Sequence, residues 1–169
     1  PEKKYLALTA AGKSASASND TLNTLFAQLK PVAPAFLVGD WVGGHFALPT
    51  VAPDIAKRAT IDWVSRKVTW GKVFRADGSV EPLVLLDHGV KVCYEKLTEC
   101  AIPQVVEAEF GGVVSAAIVS DKLPFIDYLR YVDDDTVAGQ FCVGNAMLAK
   151  FLGIPPLHFF IKRRRAAKL

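Results

Sequence analysis

Three histidines and three cysteines are the residues best suited by type to metal ligation or nucleophilic chemistry. No two of His45, His88 and His158 stand at metal-ligand spacing, and Cys93, Cys100 and Cys142 form no metal-spaced pair, which excludes a zinc centre. An odd number of cysteines cannot close a disulfide set. Cys93 and Cys142 sit in apolar, strand-like runs and read as small buried hydrophobes, which fits a reducing compartment. No Gly-x-Ser-x-Gly nucleophile turn, phosphate loop or dinucleotide fingerprint occurs. What remains is proton transfer or templating. His45, in a glycine-opened strand, and Asp127 are the candidate catalytic pair of an isomerase, cyclase or dehydratase acting on a hydrophobic substrate. His88, in the turn Asp87-His88-Gly89, is expected to be exposed.

Binding draws on a wider set: Trp41, His45, Tyr94, Glu109, Ser115, Tyr128, Arg130 and His158. Arg130 carries the sharpest question. Facing inward with Ile126 and Tyr128, its guanidinium needs a partner, either an internal carboxylate such as Glu109 or Glu107 or the carboxylate of a ligand. Asp127 is no such partner by spacing alone. Three residues apart on a regular strand, the two point to opposite faces, and a direct pair would require a bulge. The leading functional reading is therefore a protein that binds a small hydrophobic molecule, with the enzyme as the alternative.

The elements that must position these residues are mostly strands. Leu22, Leu25, Phe26 and Leu29 make one apolar stripe on a helix capped by Asn19, Asp20 or Thr21 and closed by Pro31 near Lys30. Residues 53–60 read as a short helix with Pro53 in its first turn. After the first strand pattern, through Val42 and Phe46, strands are expected near 66–75, 81–87, 90–96, 104–111, 113–120, 124–132, 135–143 and 157–163. Asp77-Gly78, His88-Gly89, Gly111-Gly112 and Asp133-Asp134-Asp135 supply the turns. Residues 144–156 interrupt this rhythm with a helical turn before Pro155-Pro156, a candidate flap or an outer crossover. Many short strands at regular spacing predict a mainly β fold, a barrel or sandwich. A barrel of about eight strands has room for side chains or one small ligand.

A chain of 169 residues makes one domain that buries about 70% of its unfolded surface. Residues 1–18 read as a flexible segment, 19–163 as the barrel domain and 164–169 as a basic tail. No run reaches the roughly 18 apolar residues of a membrane span, since Val113–Val119 is short and holds Ser115. No signal-peptide pattern opens the chain, so a cytoplasmic address is expected. The formal charge is +3, and removing Lys162, Arg163, Arg164, Arg165 and Lys168 leaves the rest at −2. A mildly acidic body does not suit nucleic acid. The basic tail is a solvated end or, as the alternative, a nuclear-import or anionic-lipid contact, with Arg164 onward projecting into solvent.

Gly39-Asp40-Trp41-Val42-Gly43 is a Gly-x-Trp-x-Gly motif. It is followed by Glu109-Phe110-Gly111-Gly112-Val113-Val114-Ser115-Ala116-Ala117, then Ser120-Asp121-Lys122-Leu123-Pro124-Phe125-Ile126-Asp127-Tyr128-Leu129-Arg130, and finally Val132-Asp133-Asp134-Asp135-Thr136-Val137-Ala138-Gly139. In this order the segments resemble the GXWXG family (about 22–85) and the domain of unknown function that habitually follows it (about 100–163). The resemblance implies a single antiparallel lipocalin-like, or calycin, barrel with an N-terminal helix and short helical insertions, the motif Trp41 plugging its closed end. The sequence departs from the pattern at Ser120, where Tyr is frequent, and in the length of 144–156. A second resemblance, to nitrobindin-type barrels that carry the same motif, implies haem ligation by His158 as an alternative. On the leading reading no cofactor is required.

Overall fold

Alternating apolar and polar residues need a sheet with two different faces; here one face packs inside and two helices cover part of the other. A computed structural model describes residues 1–11, 17–46, 69–85, 91–93, 103–120, 124–144 and 156–165. Nine strands are described: β1 (Gly39–His45), β2 (Thr69–Phe74), β3 (Val80–Leu85), β4 (Lys91–Cys93), β5 (Pro103–Phe110), β6 (Val113–Ser120), β7 (Phe125–Asp133), β8 (Thr136–Val143) and β9 (Leu157–Arg163). All pairings are antiparallel, in the order β4-β3-β2-β1-β9-β8-β7-β6-β5. A bridge between Ser79 and Gln104, with Val105 N–H donating to the Gly78 carbonyl at 2.8 Å, brings the start of β3 against β5. The sheet thus curls into a nearly closed barrel, as expected.

Turn chemistry places the hairpins. Gly78 takes a φ of +88° and Asp77 Oδ1 accepts from Ser79 N–H at 2.9 Å, while Gly111 and Gly112 both adopt positive φ between β5 and β6. The expected strands all occur within a few residues of their predicted limits where they are described. The 53–60 helix, His88, Tyr94, Cys100 and nearly all of 144–156 lie outside the described residues.

Two cores follow from the alternation. Inside the barrel, Trp41, Phe74, Val80, Ala116, Ile118, Leu129, Val137, Phe159 and Ile161 pack with Val32 and Leu37. Outside it, helices α1 (Glu2–Ala11) and α2 (Asn19–Gln28) bury Tyr5, Leu22, Leu25 and Phe26 against Phe46, Val132, Ala138 and Phe160. Two glycines permit this layering. A Cβ on Gly139 would lie 2.2 Å from the Phe159 ring, and one on Gly44 would lie 2.3 Å from Phe160.

Three expectations are corrected. Residues 1–18 are not loose throughout: Glu2–Ala11 is helical and anchored by Tyr5, fully buried, whose hydroxyl donates to the Phe159 carbonyl at 2.9 Å. The amphipathic signal of this helix is weak, so tertiary burial of one aromatic ring decides it. The α2 cap is Ser18, not Asn19, Asp20 or Thr21; its Oγ accepts from Thr21 N–H. Arg164 is exposed as expected, but it does not lie beyond the last ladder bond, because its N–H donates to the Asp40 carbonyl at 2.8 Å. Its side chain pairs with Asp40 and that of Arg165 with Asp135, both at the surface.

Candidate functional site

The barrel floor is built around Trp41. A large ring on the inner face of β1 fills the end of the barrel, and its Nε1 donates to the Leu37 carbonyl at 2.6 Å. Leu37 closes a 3₁₀ turn, Pro34–Leu37, that crosses this end. Arg163 stacks its guanidinium 4.3 Å from the Trp41 ring centroid and 5.1 Å from that of Phe36. It also donates to the carbonyls of Phe36 at 2.8 Å and Val38 at 3.2 Å. Sequence reasoning missed Arg163, which reads as the first arginine of a solvated tail. The available signal was its place at the end of the last strand, paired in register with Trp41.

Away from the floor the inner face becomes polar in part. Strand alternation puts His45 on the same face as Trp41, and its register partner is Phe159. Lys72 is the register partner of Trp41 on β2, and Asp127 shares the inner face of β7 with Leu129. β2 and β7 are not neighbours in the sheet, yet Lys72 Nζ lies 3.3 Å from Asp127 Oδ2. The pair therefore spans the barrel. Phe125 and Phe141, ring centroids 5.1 Å apart, and Leu157 continue this face, and all six side chains remain only half-buried.

A concavity of about 300 Å³ lies on the outside between α2 and the sheet, lined in part by Asn23, Phe26, Phe110, Arg130 and Gln140. It exists because β6 and β7 separate. They pair only from Ala117 to Val119, and the chain leaving α2 enters the gap: Tyr131 N–H donates to the Lys30 carbonyl and Ala116 N–H to that of Val32. Ser115 Oγ links the split, accepting from Val32 N–H at 2.9 Å and donating to the Leu129 carbonyl at 2.7 Å. Arg130, 2% exposed, donates to the carbonyls of Leu129, Phe110 and Val113 and lies 5.3 Å from the Phe26 ring centroid. Burial without an opposite charge pushes its pKa down.

The structure thus divides the expected site in two. Trp41, His45 and Asp127 face the interior. Tyr128, Arg130 and His158 face outward, beneath or beside the helices, and Ser115 serves the backbone. Tyr94 lies outside the described residues. Arg130 does share a face with Ile126 and Tyr128, but it is the outer face; alternation fixes which residues face together and not which side is the inside. Glu107 and Glu109 are exposed and neither pairs with Arg130. Asp127 and Arg130 lie on opposite faces as expected, and the β7 irregularity falls between Tyr131 and Asp133. Tyr128 stacks on Phe110, centroids 4.2 Å apart.

His158 is buried, with Nε2 2.8 Å from Asn23 Oδ1 and its ring edge-on to Phe26. Asn23 Oδ1 only accepts, and it also accepts from Gln140 Nε2, so His158 donates from Nε2 and Nδ1 is left an unpaired acceptor. Burial pushes its pKa down to about 4. Turned away from the interior and with Nε2 engaged, His158 does not fit a haem held inside the barrel. Cys142 is a partly buried free thiol, pushed up to about 11 by burial and by nearby Asp127. Among the described residues no helix is long and apolar enough to cross a membrane.

The comparisons agree with this architecture. No curated protein matches the chain. It is similar to the crystal structure of a protein from Thermomonospora curvata, at 30% identity and a TM-score of 0.74, over 97% of this chain and 98% of that one. Residues 24–89 match the GXWXG protein family and residues 103–163 match a domain of unknown function (DUF4334). Gly39-Asp40-Trp41-Val42-Gly43, at the barrel floor, and the β5–β9 half that completes the barrel are the parts so matched: the chain belongs to the GXWXG family and carries that domain of unknown function as its C-terminal half.

Proposed function

We propose that the protein binds a small hydrophobic molecule inside the barrel, in the manner of lipocalin-like proteins, above the floor formed by Trp41. The observation that carries this reading is the half-buried inner face of Phe125, Phe141, Leu157 and His45 around the Lys72–Asp127 pair. An interior meant only for packing would be apolar and closed, since a partly buried ion pair contributes little stability compared with apolar side chains of similar volume. A ligand pocket, in contrast, combines apolar walls with a few placed polar groups. The Lys72 charge is already matched by Asp127, so the pair offers a donor and an acceptor to a neutral hydroxyl or carbonyl rather than a seat for a net charge. Asp127 is held by Lys72, which favours binding over acid–base catalysis by His45 and Asp127.

Mass spectrometry of organic extracts from the purified protein tests this directly. A co-purifying apolar compound carrying a neutral polar group is the expected result. In parallel, displacement of the fluorophore 1-anilinonaphthalene-8-sulfonate by long-chain alcohols should weaken in Lys72→Met and be blocked in Leu157→Trp. Equal uptake by these variants, with an empty extract, overturns the reading.

A further inference from the structure

The outer crevice between α2 and the sheet presents a feature that neither packing nor the barrel interior accounts for. Arg130 is 2% exposed, yet no carboxylate stands against it among the described residues; its contacts are three backbone carbonyls and the Phe26 ring. A guanidinium carries five N–H donors, so these carbonyls leave Nε–H, which is buried and without a partner, and one Nη1 hydrogen. Carbonyl dipoles solvate a cation but do not neutralise it, and a buried unpaired charge is costly. Arg130 also forms part of the wall of a concavity of about 300 Å³. That volume lies at the lower end of the range for small-molecule sites.

We infer that this crevice is a binding site for a small organic carboxylate with an apolar body, its anionic group meeting Arg130 and its body lying against Phe26 and Phe110. The neighbouring groups support one negative charge and no more. Asn23 and Gln140 are neutral amides, and His158, joined to both through Asn23 Oδ1, holds an unpaired Nδ1 acceptor. With a single cation among the described residues that line it, a carboxylate balances the site, whereas a phosphate dianion would leave excess charge in an apolar setting. The site is separate from the barrel interior. Arg130 and Asp127 point to opposite faces of β7, so the two sites can fill independently.

The test uses ¹⁵N-labelled full-length protein and matched probes: phenylacetate, its neutral isostere phenylacetamide, and inorganic phosphate. Phenylacetate should shift the amide resonances of Phe26, Ala27, Gly111 and Arg130 and bind about tenfold more tightly than phenylacetamide, as expected for a charge-assisted contact. Phosphate should bind more weakly than phenylacetate. Ala27→Phe fills the crevice from an exposed helix position without touching the Arg130 hydrogen bonds, so it should remain folded and lose the phenylacetate response. Arg130→Gln should lose the preference for the acid over the amide. Equal binding of acid and amide, stronger binding of phosphate than of phenylacetate, no response to any probe, or shifts confined to interior residues such as His45 and Phe141 would each overturn the assignment. The last result would leave the proposed barrel pocket standing and remove only this site.

Discussion

Replacing Trp41 by Ala removes the floor of the barrel, and the structure sets the size of the effect. The ring is fully buried, its N–H is bonded to the Leu37 carbonyl and the Arg163 guanidinium rests on its face. Truncating a buried Trp costs about 3–5 kcal/mol. For a domain of this size each kcal/mol corresponds to about 2–4 °C in Tm, so the variant should melt about 6–20 °C lower. Part of that loss belongs to Arg163. The cation–π contact contributes about 0.5–2 kcal/mol, so Arg163→Met should destabilise by at least that amount and be much less damaging when Trp41 is already Ala. A double-mutant cycle measured by urea unfolding isolates the coupling. If Trp41→Ala melts with the parent protein but abolishes uptake of a hydrophobic ligand, Trp41 is a ligand contact and the floor argument fails. Additive single variants would show that the stacking of Arg163 on Trp41 contributes nothing.

The remaining predictions concern charge, backbone and the tail. His158 titrates near 4 in the folded protein and 6.5 unfolded, so the folded state binds fewer protons between these values; stability should be full above pH 6.5 and fall by about 3 kcal/mol as pH drops to 4. Urea midpoints at pH 7, 5.5 and 4 check this, and His158→Leu should flatten the profile. Gly71→Ala places a Cβ 2.1 Å from the Trp41 carbonyl oxygen, a backbone atom of the paired strand that cannot rotate away; a loss of about 1–3 kcal/mol or more is expected in thermal melts, and a neutral result would refute the β1–β2 approach. Asp127→Ala should cost about 1–3 kcal/mol by leaving Lys72 half-buried without its partner, and the Lys72→Met change should restore most of it. Deleting residues 166–169 should leave Tm unchanged, while truncation before Arg163 should unfold the floor.

The strands and their turns were legible in the sequence because both signals are local. A period of two apolar residues and a glycine at positive φ act over a few residues, so β5, β6, β7, β8 and β9 fall where the pattern places them. Trp41 was legible for a different reason: its Gly-x-Trp-x-Gly motif, in order with the later segments, resembles a family in which the motif tryptophan is expected to plug the barrel floor. The α1 helix was not legible, since its stability comes from Tyr5 reaching a carbonyl 154 residues away in sequence. Arg163 was hidden in the same way, within a run of basic residues whose members differ only in what lies opposite them.

For the candidate site, the sequence by itself determined which side chains share a face: Arg130 with Tyr128, and Asp127 with Leu129, because successive residues of a strand alternate. Only the tertiary structure decided which face is the inside of the barrel. That choice depends on the direction in which the sheet curls and on where α2 docks, both set by contacts between residues far apart in the chain. The same curl carries Lys72 across to Asp127, and the chain following α2 parts β6 from β7 and opens the crevice at Arg130. Alternation is a property of neighbours; inside and outside are properties of closure.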